Sequence, residues 1–524
     1  MGKYHKAKDG LPMYANFDSV INDDGQTLRD VIVQLKQMII NSQGSDGYDV
    51  VIVGSGSAGI SAAYALKDAP YKVCVVEKLD KIGGTAINAW MNCFAASGDV
   101  PFLKKITEDL MAEGKALYVK TNYQLFPNHE LANVQYDDTI VEQRFIKKIN
   151  GIPFRTEACV SYDPDALRDR YLQDLGGMRI LTSAELVAAT KSGNAIESIT
   201  VSRNGTTEVI KGKVFIDATG DDVLLRLVGN PTYIGSDVSN RYEEDYHFTE
   251  DNTIGGNDST NLNFPSLIYR VELGTEDLSG ITAAYSRNIL PYYNPDKTYI
   301  YLNPLATLNV NNDATGGSVV IDGVDTVYNR LFPRTKQQWK NIKTNGGVEQ
   351  AVLNQYNFTA QKYSSQAPML GIRETYRAKC ERMLNENSFY IQISSANLAN
   401  GSNLDKKIAY GNHIADAHGD TSIKTDVINQ SLVPYGVCYG SIIPVGLTNT
   451  FVASRGAGMT HIGACSFRLN KDVMQLGYAA GKAAQIYLEQ ELTDTRYVDV
   501  ELLQSAKYTN FVGLVERLER YITT

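Results

Sequence analysis

The sequence has little of what marks several large classes of protein. Its six cysteines are scattered without a C-x-x-C pair, so neither a disulfide framework nor a structural metal site is expected. No apolar run reaches the roughly 18 residues of a membrane helix, and residues 1–11 are polar and basic, unlike a secretory signal. Basic residues are outnumbered 50 to 59, which argues against a nucleic-acid-binding surface. We therefore expect a cytoplasmic protein with reduced thiols and no metal, nucleic-acid or membrane partner.

The first 46 residues differ in character from those that follow. Apolar residues recur at helical spacing from Leu28 to Met38, behind a plausible N-cap at Thr27. Two interpretations remain open, because two heptads are too few to decide between them. The segment is either a helix packed on the rest of the chain or a docking helix that organises a homo-oligomer or binds a partner.

The clearest pattern follows at residues 48–77. An apolar, β-branched run at 48–53 predicts a buried parallel strand, and G-S-G-S-A-G at 54–59 follows it directly. A small-residue helix and a second apolar strand come next, and that strand ends at Glu77. This order is typical of a β-α-β unit that binds a dinucleotide.

Each residue of that turn has an expected role. Gly54 allows the tight turn, Gly56 lets the backbone approach a diphosphate, and Gly59 permits close packing of helix on strand. The helix N-terminus, at Ser57 and Ala58, offers unpaired N–H groups to the phosphates. Glu77 is expected to accept hydrogen bonds from the ribose hydroxyls of the adenosine half.

Further segments indicate FAD rather than NAD. Gly83-Gly84-Thr85 resembles the turn by which glutathione-reductase-type flavoproteins pass the FAD diphosphate, and Ala218-Thr219-Gly220 resembles their A-T-G strand turn. A strand at 450–453 and a helix that begins near Asn470 then complete the arrangement, with the helix dipole facing the flavin. A second G-x-G-x-x-G on a strand–helix unit, which a built-in NAD(P)H domain needs, is absent from the sequence.

Together these elements resemble the FAD-dependent oxidoreductases related to the fumarate-reductase flavoproteins, over about residues 48–100, 160–232, 366–380 and 433–485. The resemblance implies an α/β fold: a Rossmann-type FAD-binding domain with a parallel sheet, plus an inserted α+β cap that binds substrate. The expected segments are the leader 1–46, the FAD-binding domain 47–220 and 433–490, the cap 221–432 and a helical tail 491–524.

The resemblance also implies a set of site residues. Those expected to bind FAD are Gly54, Gly56, Ser57, Ala58, Gly59, Glu77, Lys78, Gly83, Gly84, Thr85, Val187, Ala218, Thr219, Gly220, Arg455, Gly477 and Ala480. Arg373 and Arg468 are expected to bind a substrate carboxylate, and His461 to move a proton. Each of these three has a structural alternative: an ion pair with Glu374 at the start of a helix predicted over 373–385, a helix-end contact, and a bond to a backbone carbonyl.

The expected function is hydride transfer between an unidentified small molecule and flavin N5. The alternative is a structural or assembly protein, for example one associated with a phage virion, that keeps the flavoprotein fold with little or no turnover; the unusual leader motivates it. Departures from the family concern the substrate side. Gly440 stands where an arginine is common, and Trp90 and Met91 stand where small residues are typical, so Trp90 covers the flavin face or belongs to a changed pocket.

Overall fold

The computed structural model describes residues 47–94, 100–120, 146–149, 152–155, 158–235, 262–287, 289–293, 298–304, 308, 319–320, 322–346, 360–418, 428–429 and 432–523. The leader at 1–46, with its predicted docking helix, lies outside these ranges.

The described chain alternates strands and helices. The strands, numbered in chain order, are β1 (Tyr48–Val53), β2 (Val73–Val76), β3 (Cys93–Phe94), β4 (Ala116–Lys120), β5 (Ile146–Ile149), β6 (Ile152–Arg155), β7 (Ala158–Tyr162), β8 (Arg179–Leu181), β9 (Glu185–Ser192), β10 (Ala195–Arg203), β11 (Thr206–Asp217), β12 (Thr232–Ile234), β13 (Tyr269–Leu273), β14 (Leu290–Tyr293), β15 (Tyr299–Asn303), β16 (Gln361–Gln366), β17 (Tyr376–Ala378), β18 (Lys407–Gly411), β19 (Tyr435–Cys438) and β20 (Thr450–Val452). The helices are α1 (Ser57–Leu66), α2 (Gly84–Ile87), α3 (Leu103–Ala112), α4 (Pro164–Asp174), α5 (Val223–Leu227), α6 (Val324–Asn345), α7 (His461–Ser466), α8 (Asn470–Glu489), α9 (Val500–Gln504) and α10 (Phe511–Thr523).

A seven-stranded sheet forms the centre of the molecule. Its order is β8-β2-β1-β11-β10-β9, and β20 also pairs with β11. Strands β8, β2, β1, β11 and β20 run parallel. The parallel strands are apolar on both faces because helices cover them, and Val50, Val51 and Ile52 are fully buried. The predicted α/β fold with a mainly parallel, Rossmann-type sheet is confirmed.

Strand β11 belongs to two different pairings. Its first half pairs antiparallel with β10 across a two-residue turn, and its last residues pair parallel with β1 and β20. The turn residues Asn204 and Gly205 both have positive φ, 50° and 77°, as a type I′ hairpin requires. The predicted hairpin and the predicted buried strand are therefore one continuous element.

A second sheet lies in the segment predicted as a cap. Strands β14-β15-β13-β16 form an antiparallel sheet, and α6 packs on it through the fully buried Trp339. The indole N–H of Trp339 donates to Glu276 over 2.5 Å, which satisfies the one polar atom of this buried side chain. This sheet and α6 together form an α+β layer.

The helix predicted over 373–385 is wrong. The chain there forms the short strand β17 and then isolated bridges from Cys380 to Pro444 and from Leu384 to Met459. Long-range backbone pairing therefore overrides the local helical pattern. In contrast, α8 begins at Asn470 as predicted. Within the described ranges, no helix combines the length and apolar character needed to cross a membrane.

Candidate functional site

A cavity of about 500 Å³ lies where the parallel strands end. Its lining comes from the segments that follow β1, β2, β11 and β20, together with residues 369–376 and the start of α8. Open α/β sheets bind ligands at this edge, outside the carboxyl ends of their strands. The volume lies within the range of ordinary ligand sites, roughly 300–1,000 Å³.

The turn after β1 leaves room for a ligand on one side only. A Cβ built on Gly54 would lie 2.6 Å from the carbonyl oxygen of Ala218, and one on Gly59 would collide with the carbonyl oxygen of Gly54. A Cβ on Gly56 would meet no protein atom within 4 Å, because this residue faces the cavity. Gly54 and Gly59 thus serve packing, whereas Gly56 keeps the cavity open.

Glu77 is held in place at one end of the cavity. Its Oε2 accepts from the Ser55 backbone N–H (3.0 Å) and hydroxyl (2.6 Å), and its Oε1 accepts from the Leu79 N–H (3.0 Å). A carboxylate has about four acceptor positions, so Glu77 keeps capacity for a ribose hydroxyl. Lys78 lines the same end.

Val187, predicted to bind FAD, does not line the cavity. Its side chain is 44% exposed, whereas the preceding residues Ala184, Glu185 and Leu186 line the cavity.

The second glycine turn packs against the first. The Gly83 N–H donates to Ser55 O (2.8 Å), and a Cβ on Gly84 would lie 2.8 Å from the Cα of Gly56. Gly84 and Thr85 line the cavity, but Gly83 does not, since its Cα faces Ile87. Gly83 therefore shapes the turn without facing a ligand.

The turn after β11 is fixed by a buried carboxylate. Asp217 accepts from the Thr219 N–H (3.0 Å), the Thr219 hydroxyl (2.6 Å) and the Leu225 N–H (3.1 Å). Complete burial nevertheless raises the pKa of Asp217 to about 6. These bonds hold Ala218, Thr219 and Gly220 on the cavity wall.

Arg455 lies beside the turn at 218–220, where the charges of Asp221 and Asp222 act on it. Its guanidinium lies against Gly220 on the cavity lining, and its Nε is a buried donor with no acceptor among the described residues. Burial lowers the pKa of Arg455. An unpaired buried donor of this kind is costly unless a ligand supplies the acceptor. An anionic diphosphate therefore fits the three turns at 54–59, 83–85 and 218–220. Together with the flanking residues Glu77, Lys78, Arg226 and Arg455, which also line the cavity, we call these turns the glycine cradle.

The N-terminus of α8 borders the same cavity. Leu469, Asn470 and Val473 line it, and Asn470 joins the cradle by accepting from the Ser57 hydroxyl over 3.1 Å. The positive end of this 20-residue helix thus faces the ligand space.

Gly477 and Ala480, predicted to bind the cofactor, do not line the cavity. They lie two or more turns inside α8, where a Cβ on Gly477 would collide with the carbonyl oxygen of Ala58. Both residues are buried, and α8 packs closely along α1. Their small size serves helix–helix packing, so the structure does not support a cofactor contact.

Two arginines lie at the other end of the cavity. Arg373 Nη1 donates to Phe264 O (2.6 Å), and Arg468 Nη2 donates to Asp416 O (3.0 Å). Both side chains are almost fully buried and both line the cavity. The structure therefore brings together the two arginines that the sequence singled out, although they are 95 residues apart.

His461 lies away from the cavity. Its ring is 1% exposed, and Nδ1 is 2.8 Å from Glu374 Oε2. Glu374 also accepts from the backbone and side-chain amides of Asn263 and lies 3.4 Å from Arg377 Nε. Burial raises the pKa of Glu374, but its contacts with His461 and Arg377 lower it by more, so the net shift is downward. A buried hydrogen-bonded network accounts for His461, and the structure does not bring this residue to the cavity where a catalytic role was predicted. Glu374 pairs with His461 and Arg377, not with Arg373.

His418 and Asp416 lie near the two arginines and were not among the site residues predicted from the sequence. His418 Nε2 is 2.7 Å from Asp416 Oδ2, and that carboxylate lies 3.6 Å from Arg468 Nη2. Burial and the positive charges of Arg373 and Arg468 lower the pKa of His418 to about 4, so it is neutral at pH 7. No local motif surrounds these residues, and only the fold brings them to the arginines.

Two residues near the cavity differ from expectation. Cys93 lines the cavity and is disulfide-bonded, so the expected thiol is wrong there, although Cys74, Cys380, Cys438 and Cys465 are free. Cys93 lies in β3, which pairs antiparallel with the distant strand β7, and cysteine spacing does not reveal this pairing. Trp90 does not line the cavity; its ring lies 5.0 Å from that of Tyr301 in the cap.

The chain was compared with known proteins. A family model for FAD dependent oxidoreductases matches residues 49–506. Fumarate reductase (cytochrome) from Shewanella frigidimarina is 35% identical over 108 residues, which is 19% of this chain and 19% of that protein. NADH:fumarate oxidoreductase from Klebsiella pneumoniae (strain 342) is 47% identical over 49 residues, which is 9% of this chain and 5% of that protein. These matches span a fifth or less of either relative.

The solved structures that align with this chain are more distant from it in sequence. A geranylgeranyl bacteriochlorophyll reductase-like protein from Thermoplasma acidophilum aligns with a TM-score of 0.40 and 12% identity, covering 92% of this chain and 89% of that chain. L-Amino acid deaminase from Proteus myxofaciens, in complex with anthranilate, aligns with a TM-score of 0.39 and 13% identity, covering 88% and 93%.

The family match agrees with the chemistry of the site. The cradle offers glycine turns, a helix N-terminus, an acidic residue at the ribose end and a buried arginine whose Nε has no acceptor among the described residues, which together suit a dinucleotide cofactor. Since the family model spans residues 49–506 of a 524-residue chain, this protein belongs to the FAD-dependent oxidoreductases and uses FAD as its cofactor.

Proposed function

We propose that this oxidoreductase transfers hydride between a small-molecule carboxylate and N5 of the flavin, and that Arg373 and Arg468 bind the carboxylate. One observation carries the proposal. The side chain of Arg468 is 4% exposed, borders the cavity and has a buried Nε that finds no hydrogen-bond partner among the described residues. Leaving such a charged donor unsatisfied costs at least about 1–3 kcal/mol, which a bound anion would offset.

Both guanidinium groups are positioned before any substrate arrives. The carbonyl oxygens of Phe264 and Asp416 each accept one N–H, which orients the planar groups toward the cavity. The Asp416 carboxylate lies 3.6 Å from Arg468 and further restrains it. Guanidinium groups bind carboxylates through paired N–H donors, and a pre-oriented pair holds the substrate in one geometry.

The residues of the cradle would bind the cofactor at the other end. Glu77 would accept from the ribose, the amides after Gly56 would donate to the diphosphate, and Arg455 would neutralise charge there. FAD, when bound, supplies the chemistry of hydride transfer. The proposal gives His461 no proton-transfer role, because its ring is bonded to Glu374 and lies off the cavity.

Anaerobic bleaching of the purified yellow protein tests the proposal. Carboxylates, amines and polyols would be offered as reductants, and carboxylates are expected to bleach the flavin. In Arg468→Gln, we expect the carboxylate concentration for half-maximal bleaching to rise roughly 10- to 150-fold, the equivalent of one charged hydrogen bond worth about 1.5–3 kcal/mol.

A matched control separates this effect from general loss of charge. Arg382 is 42% exposed, pairs with Asp405 and does not line the cavity, so Arg382→Gln should bleach like the unaltered protein. Equal bleaching by amines or polyols, or unchanged behaviour of Arg468→Gln, would refute the proposed carboxylate site.

A further inference from the structure

We infer that the substrate is an amphipathic monocarboxylic acid, whose apolar body lies against Met91, Val319, Val320 and Ile372. These four residues are called the apolar wall below. The inference rests on the proposed function and narrows it to a substrate class. It differs from the simplest expectation for a relative of fumarate reductases, which would be a small dicarboxylate with a charge at each end.

The apolar wall is a continuous surface. All four residues line the cavity, and all four belong to or pack against one hydrophobic cluster that contains Leu267 and Tyr301. Apart from Cys93, Trp90 and Met91, that cluster is built from residues 267–372 rather than from the central sheet. Burying an apolar group against such a surface is favourable in proportion to the apolar area removed from water.

The wall adjoins both arginines. Ile372 directly precedes Arg373 in the chain. The carbonyl oxygen of Met91 accepts from the side-chain amide of Asn470 over 3.3 Å, and Asn470 follows Arg468 by two residues. A molecule whose carboxylate lies at the arginines therefore has Ile372 and Met91, one part of the apolar wall, beside it.

The distribution of cations favours a single carboxylate. Five basic residues line the described cavity, and three of them belong to the cradle. Lys78 follows Glu77, Arg455 lies against Gly220, and Arg226 donates to Asp221 O over 3.2 Å while its guanidinium lies 3.9 Å from the Tyr376 ring.

Of the five cations that line the described cavity, only Arg373 and Arg468 lie outside the cradle. A second carboxylate on the substrate would meet the apolar wall, where an unpaired charge is strongly disfavoured. The same wall would accept an alkyl or aromatic group without a desolvation penalty.

Four probe compounds test the inference on the FAD-loaded protein. Phenylacetate, phenylacetamide, acetate and succinate are titrated separately, and the change in the flavin absorption spectrum gives each Kd. We expect phenylacetate to bind at least tenfold more tightly than acetate, succinate or phenylacetamide. Thermal denaturation with each compound provides a second readout that needs no turnover.

A substitution in the wall provides the specificity test. Met91→Lys places a cation there on an unbranched side chain of similar length, and Met91→Leu is the matched apolar control. We expect Met91→Lys to shift the ratio of the succinate Kd to the phenylacetate Kd at least tenfold toward succinate, and Met91→Leu to leave that ratio within about threefold.

The outcomes distinguish the two proposals. If phenylacetamide binds as tightly as phenylacetate, the carboxylate site itself is refuted. If acetate or succinate matches phenylacetate while phenylacetamide stays weak, the carboxylate site stands and the substrate class is overturned, with the wall serving the flavin ring alone. If none of the four compounds perturbs the flavin, both proposals fail.

Discussion

Replacing Gly56 by alanine should weaken FAD binding without weakening the fold. Gly56 has φ −64° and ψ −175°, which an L-residue adopts without strain, and a Cβ there meets no protein atom within 4 Å. The added methyl group would instead enter the space through which the diphosphate approaches the amides of α1. The substitution is therefore expected to leave the stability of the folded protein unchanged and to weaken the binding of FAD.

The size of the effect follows from the hydrogen bonds at risk. A hydrogen bond to a charged group contributes about 1.5–3 kcal/mol, so displacing the diphosphate from one amide raises the Kd for FAD roughly 10- to 150-fold. Fluorescence quenching of FAD titrated with apoprotein measures this Kd. Urea unfolding of the apoprotein should show less than about 0.5 kcal/mol of change, as at a surface position.

Gly59→Ala is the matched comparison, because the same methyl group would there collide with the backbone oxygen of Gly54. Overpacking of this kind costs about 1–3 kcal/mol, so this apoprotein should unfold at lower urea concentration. FAD affinity in Gly56→Ala equal to that of the unaltered protein would refute the assignment of the diphosphate to this turn, whatever happens at Gly59.

Three further changes test other parts of the structure. The pKa of Asp217 is about 6 in the folded protein, above its unfolded value, so its contribution to stability is complete below about pH 4 and is lost as the pH rises through 6. Relative to the Asp217→Asn variant, the free energy of unfolding measured in urea should fall by about 2–3 kcal/mol between pH 4 and pH 7. Parallel pH profiles of the two proteins would contradict this. His461→Ala should destabilise the protein by about 3–5 kcal/mol in urea, because it breaks the buried pair with Glu374; a stable variant with slow flavin reduction would instead restore a catalytic role. Gly477→Leu should lower the Tm by separating α8 from α1, whereas Gly513→Leu, in the terminal helix, should have a smaller effect.

The part of the fold governed by local rules could be predicted from the sequence. The β-α-β unit at 48–77 combines apolar β-branched strands, a glycine turn and a small-residue helix, and these features act within about 30 residues. The start of α8 at Asn470 was likewise marked by periodicity. Local patterns of this kind also identified the cradle residues that line the cavity, such as Gly56 and Glu77.

The rest depends on contacts between distant segments. The predicted helix after Arg373 does not form because its backbone pairs with residues from Pro444 to Met459. His461 has the residue type of a general acid, and only the fold shows that Glu374 is its partner. His418 could not be predicted, because no pattern in the local sequence indicates that the fold brings it close to the arginines.

Because β11 is one continuous strand, the turn at the far end of its hairpin affects the geometry of the cofactor site. Arg203 and Thr206 flank the Asn204-Gly205 turn, and the strand that begins at Thr206 ends at Asp217, about 36 Å away at ~3.3 Å per residue. Lengthening the turn by one residue would slide the strand and invert which face each side chain presents. The Asp217 carboxylate, which holds residues 218–220 in place, would then point to the opposite face of the sheet. The length of this surface turn therefore sets the register of the strand that ends at the flavin site.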